Sequence, residues 1–140
     1  MDYLKRFRLD GKVALVTGGA RGLGREIALA LSSVGARLLV TDIADEGGRE
    51  TVDIIRRAGG EAECRTHDVT DEAAWEAAVS AAIGSYGRLD VLVNNAGVES
   101  GALVRDCSLA QFRQIQDINV TGTFLGCKHA IRAMSPGGAS

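Results

Sequence analysis

Proline is nearly missing from this chain and cysteine is sparse, with one proline and three cysteines in 140 residues. Together with 46% hydrophobic and 24% charged residues, that balance excludes a disordered, fibrous or disulfide-stapled chain and leaves one globular domain. Cys64, Cys107 and Cys127 are odd in number and far apart, which suits reduced thiols better than a disulfide framework. Charge of one sign is also lacking. Sixteen basic against 18 acidic residues give a net charge of -2, too small a field to hold a nucleic acid or an anionic membrane surface. The short cluster Lys5-Arg6-Phe7-Arg8 reads as a solvated N-terminal arm. No long apolar run exists: the longest, Ile27 to Leu31, falls far below the ~18 residues that span a bilayer. No secretory leader pattern opens the chain, so a cytoplasmic protein is expected. No metal site is expected either. Cys64 and His67 are the nearest pair, and three-residue spacing in a strand points them to opposite faces.

What the chain does contain is a rhythm. Four β-rich runs, Val13–Thr17, Arg37–Asp42, Glu61–His67 and Leu89–Val93, recur about every 25 residues, and the gaps carry helical periodicity. Leu23, Ile27, Leu31 and Val34 form an apolar stripe in the first gap; Trp75, Val79, Ile83 and Tyr86 form one in the third. Thr70-Asp71-Glu72 supplies a cap and acidic residues at a helix start, and Ser108 with Gln111 has capping-box spacing. Glycine closes the units at Gly35, Gly59-Gly60 and Gly87. A last helix is expected from about Ser108 to Met134, ended by Ser135-Pro136-Gly137-Gly138, after which the rhythm calls for a fifth strand. Residues 1–140 therefore read as a single α/β domain, incomplete at its C-terminus. The expected fold is α/β, a doubly wound parallel sheet in the order 3-2-1-4 that stops before the fifth strand. In that order Val91 and Val93 lie on an unpaired apolar edge, and the stripe Phe112, Ile115, Ile118 and Leu125 lacks part of its packing, so self-association is expected.

Sheets of this kind bind ligands beyond the carboxyl ends of their strands, and the motifs gather there. The first strand runs into Thr17-Gly18-Gly19-Ala20-Arg21-Gly22-Leu23-Gly24 and straight into a helix. Gly18 allows a sharp exit from the strand, Gly22 a close approach of backbone to a pyrophosphate, and Gly24 a helix lying close on the sheet. The Lys-Ser/Thr of a phosphate-binding NTPase loop is absent. Asp42 ends the second run about 20 residues past Gly22, where a carboxylate accepts both adenosine ribose hydroxyls and repels a 2′-phosphate. This favours NAD, with NADP second, because Arg21 can pair with that phosphate. Asp68-Val69 can hold an adenine by its amino group and ring face. Asn94-Asn95-Ala96-Gly97 can let backbone pass beside a cofactor ribose. Taken singly, Asp42 can also be a helix cap, and Asp68 and Asn94-Asn95 can be turn residues.

In order and spacing, Thr17-Gly-x-x-x-Gly-x-Gly24, Asp42, Asp68-Val69, Asn94-Asn95-Ala96-Gly97 and Asn119 resemble the short-chain dehydrogenase/reductase family. The resemblance runs from about Leu9 to Met134, with particular similarity to NAD-dependent hydroxysteroid dehydrogenases and 3-oxoacyl-carrier-protein reductases. It implies dinucleotide contacts at Arg21, Leu23, Asp42, Asp68, Val69 and Asn95, beside Gly18, Gly22, Gly24, Ala96 and Gly97. It also implies that Asn119 belongs to a catalytic tetrad with Ser, Tyr and Lys, holding a water on the lysine's proton path. The chain departs from the pattern in having no Tyr-x-x-x-Lys: Tyr3 is followed four residues on by Phe7, and Tyr86 by Asp90. The expectation is thus a dinucleotide-binding Rossmann-like domain over residues 1–140, the N-terminal part of an enzyme moving hydride between NAD(H) and a secondary alcohol or ketone, inactive as 140 residues. Val98–Asp106 would border the substrate. Gly122 and Gly126 permit close helix approach, to the sheet or to a second subunit of a homo-oligomer. A noncatalytic dinucleotide-binding or dimerisation module is the alternative. A sugar-nucleotide epimerase-like protein is another, but it would want glycine in place of Arg21.

Overall fold

The structure is a computed structural model describing residues 3–135; the expected stop at Pro136-Gly137-Gly138 lies outside them. Tyr3–Phe7 forms a short 3-10 turn, and Lys5, Arg6, Phe7 and Arg8 are exposed. Four strands then alternate with helices: β1 (Val13–Thr17), α1 (Gly22–Ser33), β2 (Arg37–Asp42), α2 (Asp45–Arg57), β3 (Ala62–Thr66), α3 (Glu72–Tyr86) and β4 (Val91–Val93). All pairings are parallel, in the order β3-β2-β1-β4. Two expected strands are shorter than expected. At β4 the reason is local: the Asp90 carboxylate accepts the Val13 N–H at 3.0 Å, so a side chain takes a place in the ladder.

The strand sequences are apolar at successive positions because both faces are covered. Val13 and Leu15 face a core with Trp75, Val79 and Leu125, while Ala14 and Val16 face Ala28, Val52 and Ile55. Helices α1 and α2 thus cover one face, and α3 with the C-terminal helix the other. The third-gap stripe packs as expected, and α3 starts at Asp71, whose carboxylate accepts the Ala73 N–H at 2.9 Å. It ends at Gly87, left-handed at φ 80°, a conformation that costs a glycine little. The first-gap stripe needs correction at its start. Leu23 is 70% exposed, and the buried face of α1 runs through Gly24 and Ala28. Leu23 sits in the helix's first turn, on the side away from Gly24 and outside both core clusters.

The last helix is also not uniform. It comprises α4 (Leu109–Gln116), a π turn (Asp117–Thr121) and α5 (Gly122–Met134). The capping box at its start is present: Ser108 Oγ accepts the Gln111 N–H, and Gln111 Oε1 accepts the Ser108 N–H. In the π turn the Gly122 N–H donates to Asp117 O, five residues back. Gly122 and Gly126 seat α5 on its own chain: a Cβ at Gly122 would crowd Val69, and one at Gly126 would strike Asn94 and the Trp75 ring. Lys128 Nζ and His129 Nε2 both reach Glu72 Oε1, at 2.6 and 3.1 Å, tying α5 to α3. Val91 and Val93 are half-buried on β4 at the edge of the described sheet, and Phe112, Phe124 and Ile131 are exposed.

Candidate functional site

The carboxyl ends of the strands open into a cleft of about 450 Å³. Its wall contains Gly18, Arg21, Gly22, Leu23 and Gly24 after β1, Asp42 at the end of β2, Asp68 and Val69 after β3, and Asn95, Ala96 and Gly97 after β4. Every dinucleotide-contacting position expected from the sequence therefore borders one space. Ile43, His67, Val98 and Ile118 border it as well. Val98 opens the segment expected to border the substrate, whereas no cofactor motif singles out Ile43, His67 or Ile118, whose neighbours in the chain carry the signal.

The glycine loop is held from inside. Thr17, 1% exposed, accepts the Asn95 and Ala96 N–H groups on its hydroxyl at 3.1 and 3.0 Å. The Asn95 amide donates to Thr17 O at 3.0 Å and Gly18 O at 3.1 Å. Its amide N–H groups are thus spent on the loop, and a Cβ on Gly24 would collide with that amide nitrogen and with Gly18 O. Gly22 differs. It has φ 56°, and a Cβ there would meet nothing within 4 Å, so it faces open cleft. Arg21, the residue preceding α1, makes no side-chain cap, leaving the first N–H groups of this helix free of a side-chain acceptor. A bare helix N-terminus facing open space is suited to an anion such as a pyrophosphate.

Asp42 is not the cap of α2, whose N-cap is Ala44. Its Oδ1 accepts the Ala44 N–H and its Oδ2 the Ala20 N–H, both at 2.9 Å. A carboxylate has about four lone-pair positions, so these two bonds aim the group and leave acceptor capacity for a ligand hydroxyl. Asp68 accepts the Thr70 N–H at 2.9 Å and the Thr70 hydroxyl at 2.8 Å on one oxygen, a local turn at the cleft wall. Those bonds hold its carboxyl below the usual range, as an acceptor rather than a donor at neutral pH. Val69 is anchored from behind, because Trp75 Nε1–H donates to Val69 O at 2.9 Å. Cys64 lies against Gly48 of α2, whereas His67 packs edge-on against Trp75 of α3 with ring centroids 4.4 Å apart. His67 Nδ1 is hydrogen-bonded to Thr41 Oγ1 at 3.0 Å, and burial pushes its pKa down.

Asn119 sits in the π turn next to Ile118 of the cleft wall. Its amide clamps one residue at both ends: Oδ1 accepts the Val98 N–H at 2.9 Å, and Nδ2 donates to Val98 O at 2.8 Å. Its own carbonyl accepts the Thr123 hydroxyl at 2.8 Å.

A parallel βαβ sheet with a glycine loop after β1, a carboxylate at the end of β2 and a cleft at the strands' carboxyl ends defines a doubly wound, Rossmann-like α/β architecture. The family model for short chain dehydrogenases matches residues 12–140, and the chain belongs to that family. It is 44% identical over 133 residues to zerumbone synthase of Zingiber zerumbet, spanning 92% of this chain and 49% of that protein. It is 40% identical over 131 residues to a 3-alpha-(or 20-beta)-hydroxysteroid dehydrogenase of Mycobacterium bovis, spanning 94% of this chain and 49% of that one. Among solved structures, a short-chain type dehydrogenase/reductase from Mycobacterium marinum superposes with a TM-score of 0.91 at 37% identity, over 95% of this chain and 54% of that one. The chain spans about half the length of the curated relatives it matches. Among the described residues no helix is long and apolar enough to cross a membrane, and no group of three or more His, Cys, Asp or Glu is placed to hold a metal.

Proposed function

We propose that this chain is the cofactor-binding N-terminal part of a cytoplasmic NAD-dependent oxidoreductase that transfers hydride between NAD(H) and a secondary alcohol or ketone. The observation that carries NAD is the Asp42 carboxylate, held at the cleft wall by the Ala20 and Ala44 N–H groups. There it accepts ribose hydroxyls and repels a 2′-phosphate. The bare N-terminus of α1 beside Gly22 receives the pyrophosphate, and Asp68 with Val69 receives the adenine. When bound, the nicotinamide supplies the hydride chemistry. The secondary-alcohol class is supported by the names of relatives, which include hydroxysteroid and borneol dehydrogenases.

In the complete protein, Asn119 acts beside Ser, Tyr and Lys of the family pattern. Turnover needs that Tyr-Lys pair, which these 140 residues do not contain. The Val98 clamp gives Asn119 a positioning role toward the substrate side of the cleft. Self-association, as a dimer or tetramer, is supported by the exposed Phe112, Phe124 and Ile131 along α4 and α5.

Arg21 favours the second reading, NADP, since its exposed guanidinium borders the same cleft. Calorimetric titration of the chain with both cofactors decides between them. NAD is expected to bind at least about tenfold tighter, and Asp42→Ala to lower that preference about tenfold or more, since hydrogen bonds to a charged group contribute about 1.5–3 kcal/mol. Tighter NADP binding by the unaltered chain would assign the decision to Arg21.

A further inference from the structure

Thr51 is a fully buried hydroxyl in the second turn of α2, and Arg25 is a charged side chain only 20% exposed on α1. Neither lies on the cleft wall. Both point at the backbone of the glycine loop. Thr51 Oγ1 donates to Gly19 O at 2.8 Å, with Gly47 O at 3.1 Å, and accepts Arg25 Nε–H at 2.9 Å. Arg25 Nη2 donates to Ala20 O and to Glu50 Oε2, each at 2.6 Å.

The Gly19 carbonyl and the Ala20 N–H belong to one planar peptide unit, which turns as a single plate. Thr51 holds the carbonyl end of that plate, and Asp42 Oδ2 is bonded to the N–H end. Arg25 holds the next carbonyl along. Gly47 closes the arrangement, since a Cβ there would stand 2.8 Å from Ala20 Cβ and 3.0 Å from Ala20 O.

We propose that Arg25, Thr51 and Glu50, with Gly47 packed against Ala20, are positioning residues that set the choice between NAD and NADP by fixing the peptide unit that aims Asp42. The proposal rests on the reading of Asp42 given under Proposed function. Loosening the plate at the Thr51 end frees Asp42 to turn from the ribose. That changes recognition at the 2′ position, where the two cofactors differ, whereas damage to the loop as a whole weakens both cofactors alike. The ratio of their affinities separates a positioning role from a merely structural one.

The experiment measures dissociation constants for NAD and NADP, together with urea unfolding, for the unaltered chain and three variants. Thr51→Val keeps the volume and removes the hydroxyl; Thr51→Ser keeps the hydroxyl; Gly47→Ala adds a methyl against Ala20 at a helix position where alanine is the better helix former. The preference for NAD is expected to fall about fivefold in Thr51→Val, as suits loss of the hydrogen bond that holds the Gly19 carbonyl, to fall by a similar factor in Gly47→Ala, whose methyl displaces Ala20, and to stay within about twofold in Thr51→Ser. If Thr51→Val does not fold, Gly47→Ala decides alone. An unchanged ratio in the folded variants, with both cofactors weakened together or not at all, overturns the proposal while leaving the reading of Asp42 intact. If the unaltered chain already favours NADP, that reading falls and the proposal with it.

Discussion

The glycine loop and the segment Gly97–Thr121 border the same cleft and are held in opposite ways. The loop is tied by Thr17, Asn95, Asp42, Thr51 and Arg25, side chains drawn from three strands' ends and two helices. The segment leaves Leu103, Val104 and Leu109 exposed, Val104 at 96%. Its closure depends on Asn119, which joins the two ends of the segment through Val98. The difference teaches that one wall is organised by the core of this chain, while the other is organised by a contact within itself. Segments with few buried apolar contacts open at lower free energy than the core does.

The largest effect is expected where the core reaches the organised wall. Trp75 is fully buried and holds Val69 O, so Trp75→Ala is expected to cost about 3–5 kcal/mol of stability. Urea unfolding measures it, and a loss near ~1 kcal/mol would show that the ring is not what supports this wall.

A smaller and local effect is expected in the other region. Asn119→Ala removes two hydrogen bonds, each worth about 0.5–1.5 kcal/mol, from a segment with little other anchoring. Amide exchange at Val98 is expected to quicken about tenfold while that of Gly18–Gly24 stays as it was. Quickened exchange in the glycine loop as well would mean that the two walls are not independent.

The smallest effect concerns pH. Burial lowers the His67 pKa from 6.5, so below about pH 6.5 the unfolded chain takes a proton that the folded chain refuses. Stability is therefore present above that pH and falls as pH drops toward the folded value. Asp68, lowered from 3.8 by its bonds to Thr70, contributes above about pH 4 and loses its contribution only at lower pH. Thermal unfolding followed from pH 7 to 5 is expected to be flatter in His67→Gln. An identical slope in both proteins would assign the dependence to other groups.

Much of the cleft was legible because its signals are local. Gly22 marks the start of α1 and Asp42 the end of β2, and the Ser108–Gln111 box is complete within four residues. Asn119 was legible as a motif residue, but its bonds to Val98 across 21 positions were not. The same holds for Arg25 and Thr51, which look like ordinary helix residues until α1 and α2 pack. Leu23 misleads for a related reason: helical spacing places it on the stripe, and only the folded chain turns it to the open cleft.

The sequence by itself determined the alternation of strand and helix, the positions of β1 and β2 and the glycine, carboxylate and amide residues that border the cleft, because hydrophobic period, caps and glycine act over a few neighbours. Tertiary structure alone decided which groups aim Asp42, where the last helix widens into a π turn and what Gly122 and Gly126 touch. Those outcomes depend on packing between elements distant along the chain, and a hydrogen bond or a missing Cβ has no partner until the helices dock on the sheet.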